Sequence, residues 1–579
     1  MKKTFTITAF IILAVLTLYS INRATLGHSI PDEKRYLQST KEMIASGDYV
    51  TPHYHGKLRF QKPILFYWLI ILSYKIFGVT IFGARFPSIV AGLLNVIIIF
   101  LIARNLFNRK TAVFSALILA TGEIFFMYSR FAVPDMVFAL FINTALCSFV
   151  AAYIGEPRPS AEERGELKGR FRYLYVYVFM ALAVITKGPL GFIFPSAAII
   201  TFLGIRREWR VLKDMKPILG LLLFLAISAP WFIAMIKLHG NEYLGNVWSL
   251  EIAKKLNLSS QGGPNPIIHY FSSIFYYLGM VFCRNLPWSA FLPAAIISVP
   301  YYAGKKRSLD FLLSWFFAIF VLLTLIWSRE SYYVLPLCMP LAIFIGLYFA
   351  TLTEKNILME KFLFKLPFII IVLFTPFALT GWAFFTAYGL GENIILPSLL
   401  MFIPIGFLVY AYIRKAKRTL IPAGLIIAAF AFFAYFSVYI ISVVDDEPLM
   451  AFAEDIKAVI KDGDVIAASS SGASYHRLNV YLDEYDVKNI SAPPDSLNEF
   501  LSKKDVRVFC VMSKDDYEHL ITEKTKKRVY IMAKAFRWRK FEKEDAGYFL
   551  KMLSYILHNN RDLFRQSLKY EIYLVSNMP

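Results

Sequence analysis

Charge is scarce in this sequence: only 18% of its 579 residues are Asp, Glu, Lys or Arg, and acids are the scarcer sign, 41 against 62 basic residues. Soluble domains carry about 25% charged residues. With 57% hydrophobic residues, 17% aromatics and a mean hydropathy of +0.52, most of this chain cannot be a water-soluble core. Cysteine is also rare. Cys147, Cys283, Cys338 and Cys510 have neither metal-ligand nor redox spacing, and read as structural. No Walker-type glycine loop, internal repeat, low-complexity tract or long linker is present, so nothing indicates ATP-driven work.

What is present is a series of apolar runs of roughly 17 to 25 residues, long enough to cross a bilayer as helices whose backbone groups are satisfied internally. The first, Phe5 to Tyr19, follows Met1-Lys2-Lys3 in the manner of a signal peptide. No small-residue cleavage site follows it, and it is read as a retained span. The net charge of +21 does not point to nucleic acid, because the basic residues gather in short loops such as Arg158 to Arg172, Arg206 to Lys216, Lys305-Lys306-Arg307 and Arg414 to Arg418. Placing those loops in the cytoplasm puts about 23 Lys/Arg inside against about 6 in the short loops between them, a strong positive-inside bias. The stretch Pro63 to Gly78 must then lie in the interface as a Trp/Tyr-bearing amphipathic helix, since a crossing there would invert every later loop. The expectation is an all-helical polytopic membrane domain of about 13 spans, residues 1–442, with its N-terminus inside. Residues 443–579, rich in charge and in short β-prone runs such as Val465 to Ala468, Val506 to Val511 and Glu571 to Val575, read as a small α/β domain outside the membrane.

This topology brings the polar island within the external segment 23–82, Arg130 to Asp135, Lys187 to Gly191, Lys237 to Tyr270 and Arg329 to Tyr333 to one membrane face. In the island, Tyr36, Thr40, Met43 and Ile44 share a helical face and Gly47 is a natural stop. Asp32 and Glu33 either cap that helix or serve as a working acidic pair able to hold a metal ion, orient a sugar or remove a proton. Asp135, at the junction of two spans, is a functional candidate by its depth, with Arg130 its nearest partner in sequence. Lys62 and Arg59 either snorkel or bind phosphate. With Arg284 and Arg329 they supply fixed positive charge where a phosphate leaving group would need it.

Taken in order, Pro31-Asp32-Glu33-x-Arg35-Tyr36, Ser46-Gly47-Asp48-x-Val50-x-Pro52, Lys62-Pro63 with Tyr67-Trp68, Thr186-Lys187-Gly188-Pro189, Leu286-Pro287-Trp288 and Tyr333-x-Leu335-Pro336 resemble the GT-C glycosyltransferases that use polyprenyl-phosphate sugars. The resemblance is greatest to the lipid A aminoarabinose transferases and their protein O-mannosyltransferase relatives. It implies transfer of a sugar, with inversion, from a polyprenyl-phosphate donor to a lipid, glycan or protein acceptor at the outer face of a bacterial-type inner membrane. It also implies Asp32, Glu33 and Asp135 as catalytic carboxylates, with Lys62, Arg59, Arg284, Arg329 and Lys187 around the donor phosphate. Two departures stand out. Gln61 occupies the place of a glutamate in the lipid A enzymes, and Glu251 falls near a histidine of theirs, which leaves any divalent cation open. The segment Lys237 to Tyr270, with His269, is where acceptor selectivity is expected. A lipid or glycan transporter is the rival class, but transporters place ionisable residues near the bilayer midplane, and these span centres are nearly free of charge; Glu123 is the main exception.

Overall fold

The computed structural model describes residues 31–153, 172–247, 266–352 and, with short interruptions, 448–538 and 569–578, with isolated positions elsewhere. The chain divides into two compact units, and residues 31–352 belong to the first. This unit opens with α1 (Pro31–Ser46), the short hairpin β1 (His53–Tyr54) and β2 (Lys57–Leu58), and α2 (Leu65–Phe77). It continues through α3 (Ile81–Leu106), α4 (Arg109–Ala120), α5 (Glu123–Tyr128), α6 (Asp135–Tyr153), α7 (Leu174–Lys187), α8 (Leu190–Arg206) and α9 (Val211–Asp214). Then come α10 (Pro217–Asn246), α11 (Pro266–Cys283), α12 (Leu292–Ile297), α13 (Lys306–Leu325) and α14 (Leu335–Leu352).

Among the described residues five helical runs are long and apolar enough to cross a membrane: α3, α6, α10, α13 and Ser331–Leu352. A sixth is formed if the bent pair Ile267–Cys283 and Trp288–Ile297, at 106°, is one span. Leu174–Lys187 and Leu190–Arg206, spans in the expected topology, are shorter apolar helices of 14 and 17 residues, and the expected span Phe5 to Tyr19 lies outside the described residues. The interfacial assignment of Pro63 to Gly78 corresponds to α2, 13 residues ending at Gly78. At 1.5 Å per residue it reaches about 20 Å, short of a hydrocarbon core of about 30 Å. It buries Phe66, Tyr67, Ile70 and Tyr74 and exposes Leu72 and Ile76.

Apolar residues on every side of a helix require burial on every side, and α14 meets that condition, with all but one of its residues buried. In a membrane, close packing holds helices together, and small residues permit it. Gly346 of α14 lies so near α4 that an added Cβ would stand 2.4 Å from Ser115 Oγ and 2.7 Å from its backbone N. Gly346→Ala gains about 1 kcal/mol of helix propensity, but the overpacking costs about 1–3 kcal/mol. The variant is therefore expected to unfold at a lower temperature in detergent, and a rise in Tm would contradict this packing.

Polar glue is also present: Asn95 Nδ2 donates to the Ala91 and Met136 carbonyls, and Asn143 Nδ2 donates to Asn95 Oδ1 at 2.6 Å, joining α3 to α6. In the second unit, a five-stranded sheet has the order β4 (Val487–Ile490), β3 (Val465–Ser469), β5 (Val508–Ser513), β7 (Lys569–Ser576), β6 (Tyr530–Trp538). β3 runs parallel to β4 and β5, and β7 antiparallel to β5 and β6. Successive residues of β5 alternate between two apolar clusters. Phe509 and Val511 pack with Phe452 and Ile456 of the helix Pro448–Val459, and Val508 and Cys510 with Leu497 and Leu501 of the helix Pro494–Leu501.

Candidate active site

Adjacent residues on a helix point about 100° apart, and α1 uses this to separate its two acids. Asp32 is half-exposed and pairs with Arg35 at 2.8 Å. Glu33 is fully buried: its Oε1 accepts from Arg85 Nε and from the Ala132 backbone N–H, both at 2.7 Å, and its Oε2 accepts from Arg85 Nη2 at 2.9 Å. Glu33 was expected among the catalytic carboxylates. Both its oxygens are engaged, and it ties α1, α3 and the loop entering α6 together, itself one residue from Asp32 and its partner Ala132 three from Asp135. Ser88 Oγ adds a bond to the Val133 carbonyl, 3.3 Å, in the same loop. Ile44, expected on the inner face of α1, lies outside, while Tyr36, Thr40 and Met43 are buried.

Asp135 opens α6, and its carboxylate pairs with the Lys187 ammonium, not with Arg130, whose guanidinium lies 4.0 Å from the Phe126 ring centre. Two antiparallel helix ends explain the pair: an aspartate suits the N-terminus of α6 and a lysine the C-terminus of α7. The chain can turn there because Gly188 takes φ +97°, closed to most residues. The Lys187 ammonium is further framed by the rings of Tyr332, Phe138 and Tyr333 at 5.2–5.6 Å.

Tyr36 joins the two acids to the cations. Burial, and then the neighbouring Tyr67, push its hydroxyl well above the ordinary range despite Arg59; Asp135 and Asp32 also lie within electrostatic reach. Arg59 is buried, donating Nε–H to Tyr67 Oη at 2.9 Å, with its guanidinium over Tyr36 and Tyr54. Lys62 is half-buried in the turn before Pro63. Across the site, the phenols of Tyr128 and Tyr332 are within electrostatic reach of both Asp32 and Asp135. Arg284 also acts on Tyr128, and pairs with Glu123 at 2.7 Å. Trp288 holds this corner by donating Nε1–H to Thr121.

Arg329 is held in a cluster with residues of α11. It donates to Ser273 Oγ and Ser272 Oγ and to the His269 carbonyl, and its Nη2 bonds His269 Nδ1 at 3.0 Å, while the His269 ring stacks on Trp327. Gln261 to Asn265, expected to govern the acceptor, lie outside the described residues. Among the described residues, no three His, Cys, Asp or Glu side chains are grouped to hold a metal ion.

The island is fastened from two helices. Trp68 of α2 donates to the Tyr49 carbonyl at 2.7 Å, Trp231 of α10 to the Val50 carbonyl at 3.0 Å, and Thr51 Oγ1 meets His239 Nε2 at 2.9 Å. Asp48 completes the turn by accepting from the backbone N–H of Val50 and Thr51 at 2.8 and 3.0 Å. Partial burial pushes its carboxyl up, but the Thr51 and Val50 amides, with His53 nearby, outweigh this and hold it below the ordinary range. A depressed folded-state value means a contribution present above the unfolded value, about 4, and lost as pH falls through the folded one. Hydrogen exchange at Val50 and Thr51 is expected to accelerate, relative to the intrinsic rate, as the pH drops below about 4. Asp48→Asn should abolish that acid step; its persistence would assign it to another group.

Sequence reading missed Arg85 and the phenols. A lone arginine in the first turn of a long apolar helix is the signal that should have revealed Arg85; Tyr128 and Tyr332 carry no such mark.

Fold and site together define a multi-pass membrane protein with an acid-and-cation centre built on α1 and the loop entering α6. Residues 61–233 match the family model for dolichyl-phosphate-mannose-protein mannosyltransferase. An undecaprenyl phosphate-alpha-4-amino-4-deoxy-L-arabinose arabinosyl transferase of Edwardsiella ictaluri is 30% identical over 63% of this chain and 65% of its own length. A transferase of the same name from Pseudomonas aeruginosa is 26% identical over 58% of each. The chain thus covers less than two thirds of these relatives. The crystal structure of ArnT from Cupriavidus metallidurans bound to undecaprenyl phosphate superposes with a TM-score of 0.71 at 20% identity, covering 98% of both chains, and shares the fold. The chain thus shares the ArnT fold along its whole length and, over part of its sequence, is similar to aminoarabinose transferases and to the protein-mannosyltransferase family model.

Proposed function

We propose that this protein transfers a sugar from a polyprenyl-phosphate donor to a lipid A-type or other envelope glycan acceptor at the external membrane face. In this reading it has about 13 spans, an internal N-terminus and the α/β unit outside. The observation that carries the reading is the convergence of Asp32, Asp135 and Arg59 around Tyr36, with Lys187 paired to Asp135, in a chain whose curated relatives bear transferase names.

The acceptor oxygen forms the new bond to the anomeric carbon as the bond from that carbon to the donor's phosphate oxygen breaks. Polyprenyl phosphate leaves with the electron pair. Lys62 and Lys187 stabilise the growing phosphate charge, and Arg59 adds field from beneath the tyrosines. Arg284 and Arg329, held by Glu123 and by His269, extend positive charge along the far wall. A hydroxyl acceptor must lose its proton, and Asp32, the half-exposed carboxylate, receives it; a phosphate acceptor is already anionic and needs no base. Glu33 positions Asp32 and the Asp135 loop and takes no proton.

The test is mass spectrometry of lipid A, other envelope glycans and membrane-protein glycopeptides from cells with and without the protein. A sugar-sized mass lost from lipid A in the deletion supports the reading. Loss from Ser/Thr glycopeptides instead supports protein O-mannosylation, the activity in the matched family's description. No glycan change overturns transfer and turns attention to lipid transport.

A further inference from the structure

The end of α10 remote from the site carries features that glycosyl transfer does not use. The Lys216 end lies about 21 Å along the helix from the Trp231 contact with Val50 and about 33 Å from the His239 contact with Thr51. There Leu212, Lys213, Lys216, Pro217, Ile218, Leu219 and Leu222 line a shallow, open groove. Its apolar wall is exposed, with Leu222 60% accessible and the adjoining Ile218 78%. Gly220 is the reason these side chains turn outward. The Tyr177 ring packs so closely on it that an added Cβ would stand 2.2 Å away, so the inner face of α10 is already occupied.

The groove's rim is basic. Arg207, Arg210 and Lys213 are exposed and Lys216 is half-buried, with Asp214 among them. Arg206 and Glu208 are committed elsewhere, Arg206 to Asp310 at 3.2 Å and Glu208 to Arg307 at 3.4 Å, so Glu208 does not neutralise the rim. Lys216 holds φ +49°, a left-handed backbone that glycine or asparagine adopts more readily. Trp209, 51% exposed beside the rim, is a residue type favoured at headgroup depth. Ammonium groups at headgroup level above an open apolar channel are complementary to one ligand chemistry: a phosphate headgroup carrying acyl chains.

We infer that this groove, at the Lys216 end of α10, binds an anionic phospholipid, its phosphate between Lys213 and Lys216 and an acyl chain along Leu219 and Leu222. This does not depend on the transferase reading. Cations near an anionic surface contribute about 1 kcal/mol each. Removing two is therefore expected to weaken binding about 30-fold, or about 2 kcal/mol.

The experiment uses the full chain purified in mild detergent and the double variant Lys213→Ala/Lys216→Ala. Native mass spectrometry counts retained cardiolipin and phosphatidylglycerol, and thermal unfolding is followed in phosphatidylethanolamine nanodiscs with and without added cardiolipin. Expected are retention of anionic lipid and a rise in Tm with cardiolipin for the parent, both lost in the variant, while the Tm in phosphatidylethanolamine alone stays the same. Equal retention and an equal rise in both proteins would overturn the site and leave ordinary annular lipid. Stabilisation of the parent by inorganic phosphate as large as that by cardiolipin would overturn the lipid assignment in favour of a free anion. Should the double variant unfold, Leu222→Trp, which leaves the charge unchanged and fills the apolar channel, must show the same loss of retained lipid; full retention would sink the proposal.

Discussion

Asp32→Asn is expected to lower sugar transfer to a hydroxyl acceptor by about 10²–10⁴-fold, the usual scale for losing a positioned general base, while leaving the unfolding temperature nearly unchanged. The carboxylate is half-exposed and its pair with Arg35 is a surface pair, worth about 0–1 kcal/mol. Asparagine has the same shape and still serves the first turn of α1. Asp135→Asn should behave differently. It removes the counter-charge of the Lys187 ammonium, which is nearly buried, and breaking such a pair costs about 3–5 kcal/mol. Activity and stability therefore fall together at Asp135 and separately at Asp32. Measured with a purified polyprenyl-phosphate donor and followed by thermal unfolding, wild-type transfer by a folded Asp32→Asn protein would remove Asp32 from the chemistry.

The second large effect is structural. Glu33→Ala leaves the Arg85 guanidinium buried without its carboxylate and the Ala132 N–H without its acceptor, for an expected loss of about 3–5 kcal/mol. The informative comparison is the double variant Glu33→Ala/Arg85→Leu. Removing both charges from an apolar setting is often near neutral, so it should recover much of the lost stability. Transfer should not recover with it, because the loop carrying Asp135 is still untied. Recovery of both would show that the pair serves stability alone. A double variant no more stable than the single one would show that Arg85 has other obligations at that corner.

Much of this was legible from local chemistry. Gly47 closing α1, Gly78 closing α2 and the Thr-Lys-Gly-Pro turn are signals a few residues long, and they mark the ends of helices in the structure. Partnership was not legible. Arg130 is five residues from Asp135, whereas the residue that pairs with it, Lys187, is 52 away, and only the antiparallel packing of α6 and α7 brings the two together. Glu33 resembled Asp32 because one residue of sequence separates them. Which of the two faces inward depends on Arg85, set on α3 by tertiary packing. Arg284 and Arg329 were read as cations awaiting a phosphate, yet Glu123 and His269, both remote in sequence, already engage them.

The two tryptophans on consecutive carbonyls have a consequence for the membrane itself. Trp68 rides on the short helix α2 and Trp231 on α10, a helix long and apolar enough to cross a membrane. The backbone at Tyr49 and Val50 is the junction of these two anchors, so in the proposed topology a thinner or thicker bilayer that tilts α10 relative to α2 pulls on two consecutive peptide units. The segment between the acidic helix and Lys62 therefore couples the setting of α10 to the backbone that follows Asp32 and Glu33.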